Sequence, residues 1–556
     1  MSSDATRTRV NWGLTPGRIS FDGTRTPTKT ALFLIVCLAW LVPGLVGHDP
    51  WKYDEAIAFG IVADMLKSGD WIAFHLAGEP YLDKAPLFMW VAALFAKAFG
   101  GLLAAHDAAR LAAGAFMAAT LALLSATSLE LRGGLRLAVL LFIGSLGLLP
   151  HAHEMLPDLA GLTGVALCIY GLVLAARRPW LGGVLAGAGV GVGFLGDGFL
   201  PAGMLVALMV LLPAGSHFWR TRQYAATAGI ALLVAAPLVA LWLGALASVS
   251  PAFLSVWLDN ALTSRWSSPI SPDAIGEVFY FARILPWYAW PAWPLAAWTL
   301  YRARHTLTQR RDLMLPLIAF AAFFLVTSIF GDARVANGLT LLLPLALLGV
   351  AELDTLPRGA ASALDWFGMM TFLSLGAALW VGYVAAMTGR PEAIAAAIAR
   401  EVPGFRYPFS FVAFALASLL TLVWVVVVAR SLRSTRRALV NWAAGITMVW
   451  MLVMTLGLPL VDQARSYRGV AARLAANLSP APNCIARRNL GDAQRGLLDY
   501  FAGIRTVPES DPAAAKCNAL LVQASPSKLP SPVGWGEPYR TTRPGDKNEL
   551  FLLYRR

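Results

Sequence analysis

The chain has 556 residues, of which 57% are hydrophobic and 14% are charged, and its mean hydropathy is +0.61. The core of a soluble protein cannot enclose that much apolar surface, so the composition excludes a soluble protein and indicates that lipid surrounds most of the chain. The formal net charge of +13 would suggest a nucleic-acid partner in a soluble protein, but the placement of the basic residues explains it otherwise.

The first 28 residues are polar, and the apolar stretch that follows carries no small-residue cleavage pattern after Leu45. We therefore interpret this stretch as an uncleaved membrane anchor and not as a removable signal peptide. Residues 1–28 are expected to form a cytoplasmic tail. Its arginines are Arg7, Arg9, Arg18 and Arg25.

Apolar segments recur along most of the chain, although several are short or rich in glycine. We predict about thirteen transmembrane helices within a membrane domain that covers residues 29–460. Their approximate bounds are 29–47, 107–130, 134–150, 157–175, 180–196, 199–213, 225–247, 284–301, 313–330, 338–351, 366–388, 408–429 and 439–460.

Arginines occupy alternate connections between these segments, and cytoplasmic loops are the ones enriched in arginine and lysine. The alternation places the amino terminus in the cytoplasm and the carboxyl terminus outside, and it explains the basic excess without nucleic acid. It requires that residues 86–99 lie in the interface, because this run has roughly 14 residues and a crossing needs roughly 20. The arginines concerned are Arg132, Arg136, Arg177, Arg178, Arg220, Arg222, Arg302, Arg304, Arg310, Arg311, Arg358, Arg430, Arg433, Arg436 and Arg437.

The first outer loop, at about residues 48–106, carries two charged clusters. Asp54 and Glu55 begin a helical pattern whose apolar positions predict an amphipathic helix lying on the membrane. The second cluster contains Glu79, Asp83 and Lys84. Carboxylates and an ammonium group gathered at a membrane surface suggest chemistry on a lipid-borne substrate.

Beyond residue 460 the hydrophobic spans end, and we predict a small α/β domain at residues 461–556 on the periplasmic side. Cys37 and Cys168 lie in apolar spans, whereas Cys484 and Cys517 both lie in this domain. Because an oxidising compartment permits disulfides and no other partner is available on that side, we predict a bond between Cys484 and Cys517. The predicted helices are 465–477 and 491–501, and the predicted strands are 519–523 and 550–553.

The first outer loop resembles the GT-C glycosyltransferases that take a sugar from a polyprenyl phosphate carrier, particularly the aminoarabinose transferases of lipid A and their protein O-mannosyltransferase relatives. The signature of this family is an Asp-Glu pair, followed by a Ser-Gly-Asn/Asp-Trp turn and then by Gly-Glu-Pro-Tyr-Phe-Glu-Lys-Pro-Pro-Leu. This chain has Asp54-Glu55, the turn 68–71 reading Ser-Gly-Asp-Trp, and the segment 78–87 reading Gly-Glu-Pro-Tyr-Leu-Asp-Lys-Ala-Pro-Leu. Order and spacing agree, with Asp83 in place of Glu and Ala85 in place of Pro.

Other segments compare less closely with the family. Asp259-Asn260 followed by Arg265 is similar to Glu-Asn-Val-Gln-Arg-Phe, with the arginine displaced toward the carboxyl terminus. Where relatives carry Thr-Lys-Gly, this chain has Asp197 between two glycines. Their Lys-Leu-Pro-x-Tyr motif is replaced by the segment 332–337, which contains Arg334. Fold and reaction class survive these departures, but the identity of the substrate does not follow from the sequence.

The resemblance implies a mainly α, polytopic GT-C fold in a bacterial inner membrane. It implies an inverting glycosyltransferase that moves a sugar from a polyprenyl (undecaprenyl) phosphate carrier to a periplasmic acceptor such as lipid A, another glycan or a protein. The implied partners are that donor, a lipid or glycan acceptor and the bilayer, with no nucleic acid. A transporter or flippase of lipid-linked sugar is the alternative, but it would need inverted repeats and mid-span charges, and neither is clear.

The residue types suit such a transfer, because a sugar phosphate has a good leaving group and needs a base for the acceptor and cations for the departing phosphate. Asp54 is the candidate base, Asp158 is assigned to the sugar or acceptor pocket, and Glu55 and Lys84 are also assigned to the catalytic site. The leaving-group cations are assigned to Lys84, Arg265 and Arg334. Residues assigned to donor or substrate binding also include Tyr81, Asp83 and Arg283.

Each assignment has a structural alternative. Asp54 and Glu55 could stabilise the start of their helix through its dipole, and Asp158 could cap its span. Lys84 could be a snorkelling interfacial lysine, and Arg265 and Arg283 could contact lipid headgroups. His151 and His153 could form a metal pair or be ordinary hydrogen-bonded histidines. The sequence identifies no certain cofactor and leaves a divalent metal open.

Overall fold

The computed structural model describes residues 27–132, 136–263, 278–431, 434–530, 532–546 and 548–556. The fold is mainly helical, as predicted. The helices are α1 (Pro27–Leu41), α2 (Asp54–Ser68), α3 (Pro86–Phe99), α4 (Ala105–Arg132), α5 (Leu137–Ile143), α6 (Asp158–Leu174), α7 (Pro179–Asp197), α8 (Phe199–Gly215), α9 (Arg222–Val249), α10 (Pro251–Thr263), α11 (Tyr280–Tyr288), α12 (Ala292–Ala303), α13 (Arg311–Phe330), α14 (Leu339–Gly349), α15 (Arg358–Thr388), α16 (Glu392–Glu401), α17 (Phe411–Arg430), α18 (Thr435–Leu452), α19 (Leu458–Arg465), α20 (Arg468–Ala476) and α21 (Asp492–Ala502). The strands are β1 (His75–Leu76), β2 (Glu79–Pro80), β3 (Ile485–Arg488), β4 (Val507–Pro508), β5 (Ala519–Ala524), β6 (Tyr539–Thr542) and β7 (Leu550–Arg555).

Within the described ranges, 7 helices are long and apolar enough to cross a membrane. An eighth crossing is available if Leu146–His153 and Asp158–Leu174, bent by 119° at their break, form one broken span. Shorter apolar helices lie at Thr30–Leu41, Pro86–Phe99, Phe199–Gly215 and Val335–Gly349. The chain is thus a multi-pass membrane protein, while the count of about thirteen spans stays a prediction.

Two predicted spans are not continuous helices. The segment predicted at 284–301 is divided into α11 and α12, because Pro291 has no N–H with which to continue a helix and α12 restarts after it. In the described part of the segment predicted at 134–150, the seven-residue α5 ends at Ile143, with Gly144 as its C-cap, and a short 3₁₀ helix follows at Leu146–Leu148. The carbonyl oxygen of Gly144 accepts a hydrogen bond from Trp442 Nε1 at 2.8 Å.

Helices α6 and α7 approach each other closely because glycines line their contact. A Cβ added at Gly164 would lie 2.3 Å from Gly193 N, and a Cβ added at Gly189 would lie 2.4 Å from Cys168 N. Real Cβ atoms do not approach other atoms so closely, so these positions require glycine. This contact fixes the start of α6, where Asp158 lies, relative to the end of α7, where Asp197 lies.

The carboxyl-terminal part contains a five-stranded sheet of order β4-β3-β5-β7-β6. Helix α20 packs against β6, and α21 packs against α20 and α2. Strand β3 pairs in parallel with β4 and β5, whereas β7 pairs antiparallel with β5 and β6. The helices and strands predicted here are present, and Cys484 and Cys517 form a disulfide. The division of the chain into domains at residues 28 and 460 stays a prediction.

The first loop is fastened to this sheet by ion pairs. Glu79 on β2 accepts hydrogen bonds from Arg487 at 2.7 Å and from Arg495 at 2.5 Å. Burial alone would raise the pKa of Glu79, but the two guanidinium groups hold it below its usual range. The backbones of α2 and α21 also meet, since a Cβ at Gly60 would lie 3.2 Å from Gly496 Cα. The strand that leads toward Lys84 is therefore held from the carboxyl-terminal side.

We predict that Gly189→Ala destabilises the protein by about 1–3 kcal/mol, because its methyl group would overlap the backbone of α6. Gly203→Ala is the matched control, since no heavy atom lies within 4 Å of a Cβ at that position on α8. Both substitutions give the same small gain in helix propensity. Thermal unfolding of the detergent-solubilised protein should show a lower Tm for Gly189→Ala alone, and equal Tm values for the two variants would contradict the close contact.

Candidate active site

Four charged residues from distant parts of the chain meet at the start of α2, and we name them the Arg334 cluster: Asp54, Lys84, Asp158 and Arg334. Arg334 Nη2 lies 3.3 Å from Asp54 Oδ1 and 3.5 Å from Asp158 Oδ2. Lys84 Nζ lies 3.9 Å from the same oxygen of Asp54. The structure therefore brings together the predicted base, two of the predicted leaving-group cations and the predicted pocket carboxylate.

The exposure of the two carboxylates differs. The side chain of Asp54 is 35% exposed, whereas that of Asp158 is 5% exposed. Asp158 Oδ1 is buried without a hydrogen-bond partner among the described residues, although a buried charged oxygen normally has one. Asp54 is thus accessible to a substrate, and Asp158 has an unused acceptor beside the cations.

Arg334 comes from the turn between α13 and α14. The backbone N–H of Arg334 donates to Asp332 O at 2.7 Å, and the Asn337 side chain donates to the same oxygen at 3.0 Å. The charge of Asp158, ahead of that of Asp54, raises the pKa of Arg334 above its usual value. This turn therefore presents a permanently charged guanidinium between two carboxylates.

Beside Asp158 lies a narrow cleft with room for about one water-sized group. Asp197, at the end of α7, lines the cleft together with Asn337 and Thr340. The cleft borders the Arg334 cluster on the side of α7, and Asp197 shares this wall with Asp158.

The loop that carries Lys84 is held by α10. Asn260 Nδ2 donates to Asp83 Oδ1 at 2.5 Å, and Trp257 Nε1 donates to the carbonyl oxygen of Lys84 at 3.4 Å. Burial, followed by the charge of Asp83, raises the pKa of Tyr81. Asp83 therefore fastens α10 to the loop, and Tyr81 lies half-buried next to the cluster.

Glu55 is adjacent to Asp54 in sequence but belongs to a different group of contacts. Arg110 Nε donates to Glu55 Oε1 at 2.5 Å, and the Trp51 N–H donates to Glu55 Oε2 at 3.0 Å. Burial alone would raise the pKa of Glu55, but the charge of Arg110 holds it below the usual range. Both side chains are almost completely buried. Glu55 is thus fully used in an internal ion pair, which favours a structural role over the predicted catalytic one.

The two histidines do not form a metal pair. His153 is buried, with Nε2 at 2.8 Å from Trp40 O and Nδ1 at 3.0 Å from Leu149 O. His151 lies near Glu154, with Nδ1 3.7 Å from Oε2. Over the described residues, no group of three His, Cys, Asp or Glu side chains is arranged to hold a metal ion. We therefore derive no step through a metal.

Two predicted residues remain. Arg283 is exposed on α11, and Arg265 lies outside the described residues. Sequence reasoning missed the role of Arg110, although an arginine inside a predicted span is an indication that it has a buried partner. It also missed the partners of Glu79, because nothing in Arg487 or Arg495 links them to a loop more than 400 residues away.

No family model matches the sequence. The chain is similar to undecaprenyl phosphate-alpha-4-amino-4-deoxy-L-arabinose arabinosyl transferases. The one from Pseudomonas aeruginosa strain UCBPP-PA14 is 30% identical over 368 residues, which are 64% of this chain and 64% of that protein. The one from Serratia proteamaculans strain 568 is 27% identical over 314 residues, which are 52% of this chain and 54% of that protein. The match therefore spans less than two thirds of these relatives.

The structure is similar to the crystal structure of ArnT from Cupriavidus metallidurans bound to undecaprenyl phosphate. The TM-score is 0.65 at 18% identity, over 95% of this chain and 98% of that one. The apo structure of the same protein gives a TM-score of 0.64. The chain has the ArnT fold. The resemblance to aminoarabinose transferases inferred from the first loop is confirmed by these relatives.

We predict that Glu55→Ala destabilises the protein by about 3–5 kcal/mol, because the buried Arg110 would keep only Asp107, at 2.7 Å, of its two carboxylate partners. Glu130→Ala is the control: its ion pair with Arg177 at 3.0 Å lies at the surface, and such pairs contribute about 0–1 kcal/mol. The measurement is thermal unfolding in detergent. A Glu55→Ala protein with the Tm of the parent and no transfer activity would restore a catalytic role for Glu55.

Proposed function

We propose that the chain is an inverting membrane glycosyltransferase that moves a sugar from a polyprenyl (undecaprenyl) phosphate carrier to a periplasmic acceptor. The observation that carries the proposal is the Arg334 cluster, in which an accessible carboxylate lies within 4 Å of two cations. The relatives, which are named arabinosyl transferases, and the similar structure of ArnT bound to undecaprenyl phosphate support it.

The proposed reaction needs one base and a stabilised leaving group. Asp54 takes the proton from the acceptor hydroxyl while the oxygen of that hydroxyl forms a bond to the anomeric carbon. The bond from that carbon to the phosphate oxygen breaks, and its electron pair leaves with the polyprenyl phosphate. Lys84 and Arg334 neutralise the phosphate charge as it develops. Attack from the face opposite the carrier inverts the anomeric centre.

Asp158 is assigned to positioning Arg334 and to binding the sugar. Its Oδ2 faces Arg334, and its Oδ1 has no hydrogen-bond partner among the described residues. A sugar hydroxyl or amino group could donate to this oxygen without displacing the guanidinium.

The alternative, a transporter or flippase of lipid-linked sugar, is disfavoured by where the charges lie. Transporter sites typically lie near the bilayer midplane, between broken helices. The Arg334 cluster instead draws on the first residues of α2 and α6 and on two connecting segments. A site at helix ends suits a reaction with an acceptor that arrives from the aqueous side.

Asp54→Asn should lower sugar transfer by about a hundredfold or more, because an amide of the same shape cannot accept the proton. Lys84→Ala and Arg334→Ala should also lower turnover, because each removes a cation from the leaving phosphate. The assay follows radiolabelled sugar from a polyprenyl phosphate sugar to acceptor in detergent, and chelator in a parallel assay tests for a divalent metal.

Arg177→Ala is the matched control for these variants, since its exposed side chain pairs with Glu130 and lies outside the cluster. Its transfer rate should equal that of the parent. Normal transfer by all three cluster variants would overturn the proposed site. If a variant loses activity and also has a lower Tm than the parent, its residue has a structural role.

We propose an orientation in the bacterial inner membrane with residues 1–28 in the cytoplasm, about thirteen spans within 29–460 and an α/β domain at 461–556 in the periplasm. It rests on the arginine alternation and on the interfacial position assigned to α3. Reporter fusions after Arg222 and Arg304 should report the cytoplasm, and fusions after Trp71 and at the carboxyl terminus should report the periplasm. A cytoplasmic carboxyl terminus would reject the orientation and require α3 to cross.

A further inference from the structure

An apolar groove lies between α12 and α15, and none of its lining residues belongs to the Arg334 cluster. Its volume is about 470 Å³, within the range of small-molecule sites. Each helix is packed elsewhere, α12 against α14 and α15 against α18. The groove is open to the surroundings, because the alanines of its α15 wall are exposed. Its walls include Pro294, Leu295 and Trp298 on α12 and Ala360, Ala363 and Leu364 on α15.

One end of the groove is closed by aromatic rings. Trp290 and Phe367 line this end, with their ring centroids 6.0 Å apart. The buried Trp442 lies 6.4 Å from Trp290 and 6.1 Å from Phe367, centroid to centroid. Trp442 is itself held, because its Nε1 donates to Gly144 O at 2.8 Å. The closed end is therefore a fixed apolar wall.

The length of the groove corresponds to one leaflet of a bilayer. The stretch of α15 from Arg358 to Phe367 is about 14 Å long, at the usual rise of an α-helix. Half of the hydrocarbon core of a bilayer is about 15 Å thick. A transmembrane helix would need an apolar face across the whole core, whereas the aromatic rings close this groove. The groove therefore suits a single acyl chain and not a partner helix.

Two arginines lie at the other end of the groove. There, Trp298 Nε1 donates to Thr355 Oγ1 at 3.2 Å, which joins the last turns of α12 to the segment before α15. Arg302 lies one helical turn beyond Trp298, and Arg358 is the first residue of α15. Both arginines are exposed, and within the described part of the chain neither guanidinium has a hydrogen bond or an ion pair.

The acidic residues of the segment that leads into α15 are already paired with other arginines. Arg436 donates from Nε and Nη2 to the two carboxylate oxygens of Asp354, at 2.7 and 2.6 Å. Glu352 accepts a hydrogen bond from Arg310. The end of the groove near Thr355 therefore carries two positive charges that these carboxylates do not compensate, and it complements an anion.

We propose that this groove holds one acyl chain of an anionic phospholipid, with the lipid phosphate at Arg302 and Arg358. Basic residues between membrane helices at the cytoplasmic side recognise anionic lipid headgroups, and apolar walls accept the chain below them. The proposed orientation places both arginines at the cytoplasmic face, which assigns the lipid to the inner leaflet. The inference goes beyond the proposed transfer reaction and does not depend on it.

The test measures phospholipid binding to the full, delipidated chain by native mass spectrometry. The probes are phosphatidylglycerol and phosphatidylcholine with identical acyl chains, which differ in net charge. The first test variant combines Arg302→Ala with Arg358→Ala and removes both guanidinium groups. The second, Ala363→Trp, fills the groove from an exposed position of its wall.

Each test variant has a matched control. Arg178→Ala combined with Arg222→Ala removes two exposed arginines at the starts of α7 and α9. These helices are in close contact, since a Cβ at Gly187 would lie 2.3 Å from Ala231 O, and they leave no room for an acyl chain at this point. Ala377→Trp adds the same indole at an exposed position of α15 outside the groove.

We expect the parent and both controls to bind phosphatidylglycerol about tenfold or more tightly than phosphatidylcholine, because two arginines meet the anionic headgroup. The double arginine variant should lose this preference. Ala363→Trp should bind both lipids more weakly than the parent does. Phosphatidylglycerol with a diazirine on its acyl chain should crosslink to residues 290–298 or 356–367 of the parent.

An unchanged preference for phosphatidylglycerol in the double arginine variant would overturn the proposal. Equal affinities of Ala363→Trp and Ala377→Trp for phosphatidylglycerol would show that the chain lies elsewhere and would also overturn it. Two competition results reject it as well. Displacement by undecaprenyl phosphate at equal concentration would assign the groove to a polyprenyl lipid, and displacement by inorganic phosphate would show that the acyl chain does not contribute to binding.

Discussion

The arrangement depends on one guanidinium that two helix starts share. Arg334 reaches Asp54 on α2 and Asp158 on α6, residues separated from it by 280 and 176 positions. Each carboxylate lies at the positive end of a helix dipole, which stabilises its charge, and the arginine prevents the two from repelling each other. A phosphate that displaces one carboxylate from Arg334 would meet a guanidinium that is already positioned. The free-energy cost of positioning it is part of folding and not of the reaction.

The positions of Asp54 and Lys84 in the cluster are fixed only if the first loop is rigid. The loop has little secondary structure of its own between α2 and α3. Its rigidity is supplied from three directions. The ion pairs of Glu79 hold it to the sheet, the hydrogen bond of Asp83 holds it to α10, and the Glu55–Arg110 pair holds α2 to α4. The charged residues of the loop therefore fall into two groups. Asp54 and Lys84 belong to the Arg334 cluster, whereas Glu55, Glu79 and Asp83 hold the loop to neighbouring elements.

The sequence predicted elements whose signals are local. The existence of helix α2, the 14-residue α3, the carboxyl-terminal helices and strands, and the grouping of Asp54 with Lys84 all follow from short patterns. The prediction that α2 is an amphipathic helix lying on the membrane is wrong, because residues 55–65 are all buried and α2 packs mainly against α21 and α3. The sequence assigned the base to Asp54 but could not separate the role of Glu55 from it, because both carboxylates fit the same motif. The choice is made by Arg110, which takes Glu55 into the interior. Pro291 is a sequence signal for the break, because proline lacks the N–H that continues a helix. The single span predicted at 284–301 rested on hydropathy alone.

The basic excess has two physical origins. Arginines in alternate connections follow the distribution expected of cytoplasmic loops. Arginines of the carboxyl-terminal part instead pair with acidic residues of the first loop. Arg468 pairs with Asp49, and Arg487 and Arg495 pair with Glu79. Arg505 lies 3.7 Å from Asp64. The acidic residues of the first loop and the basic residues of the carboxyl-terminal part form one partly buried contact, in which three carboxylates face four guanidinium groups. Because such pairs are directional, they fix the register of loop on sheet more strictly than apolar contact would. A loop held in register keeps Lys52 within 3.5 Å of Asp546 and Glu549 while Asp54 stays 3.3 Å from Arg334, so one short segment contacts both the carboxyl-terminal part and the Arg334 cluster.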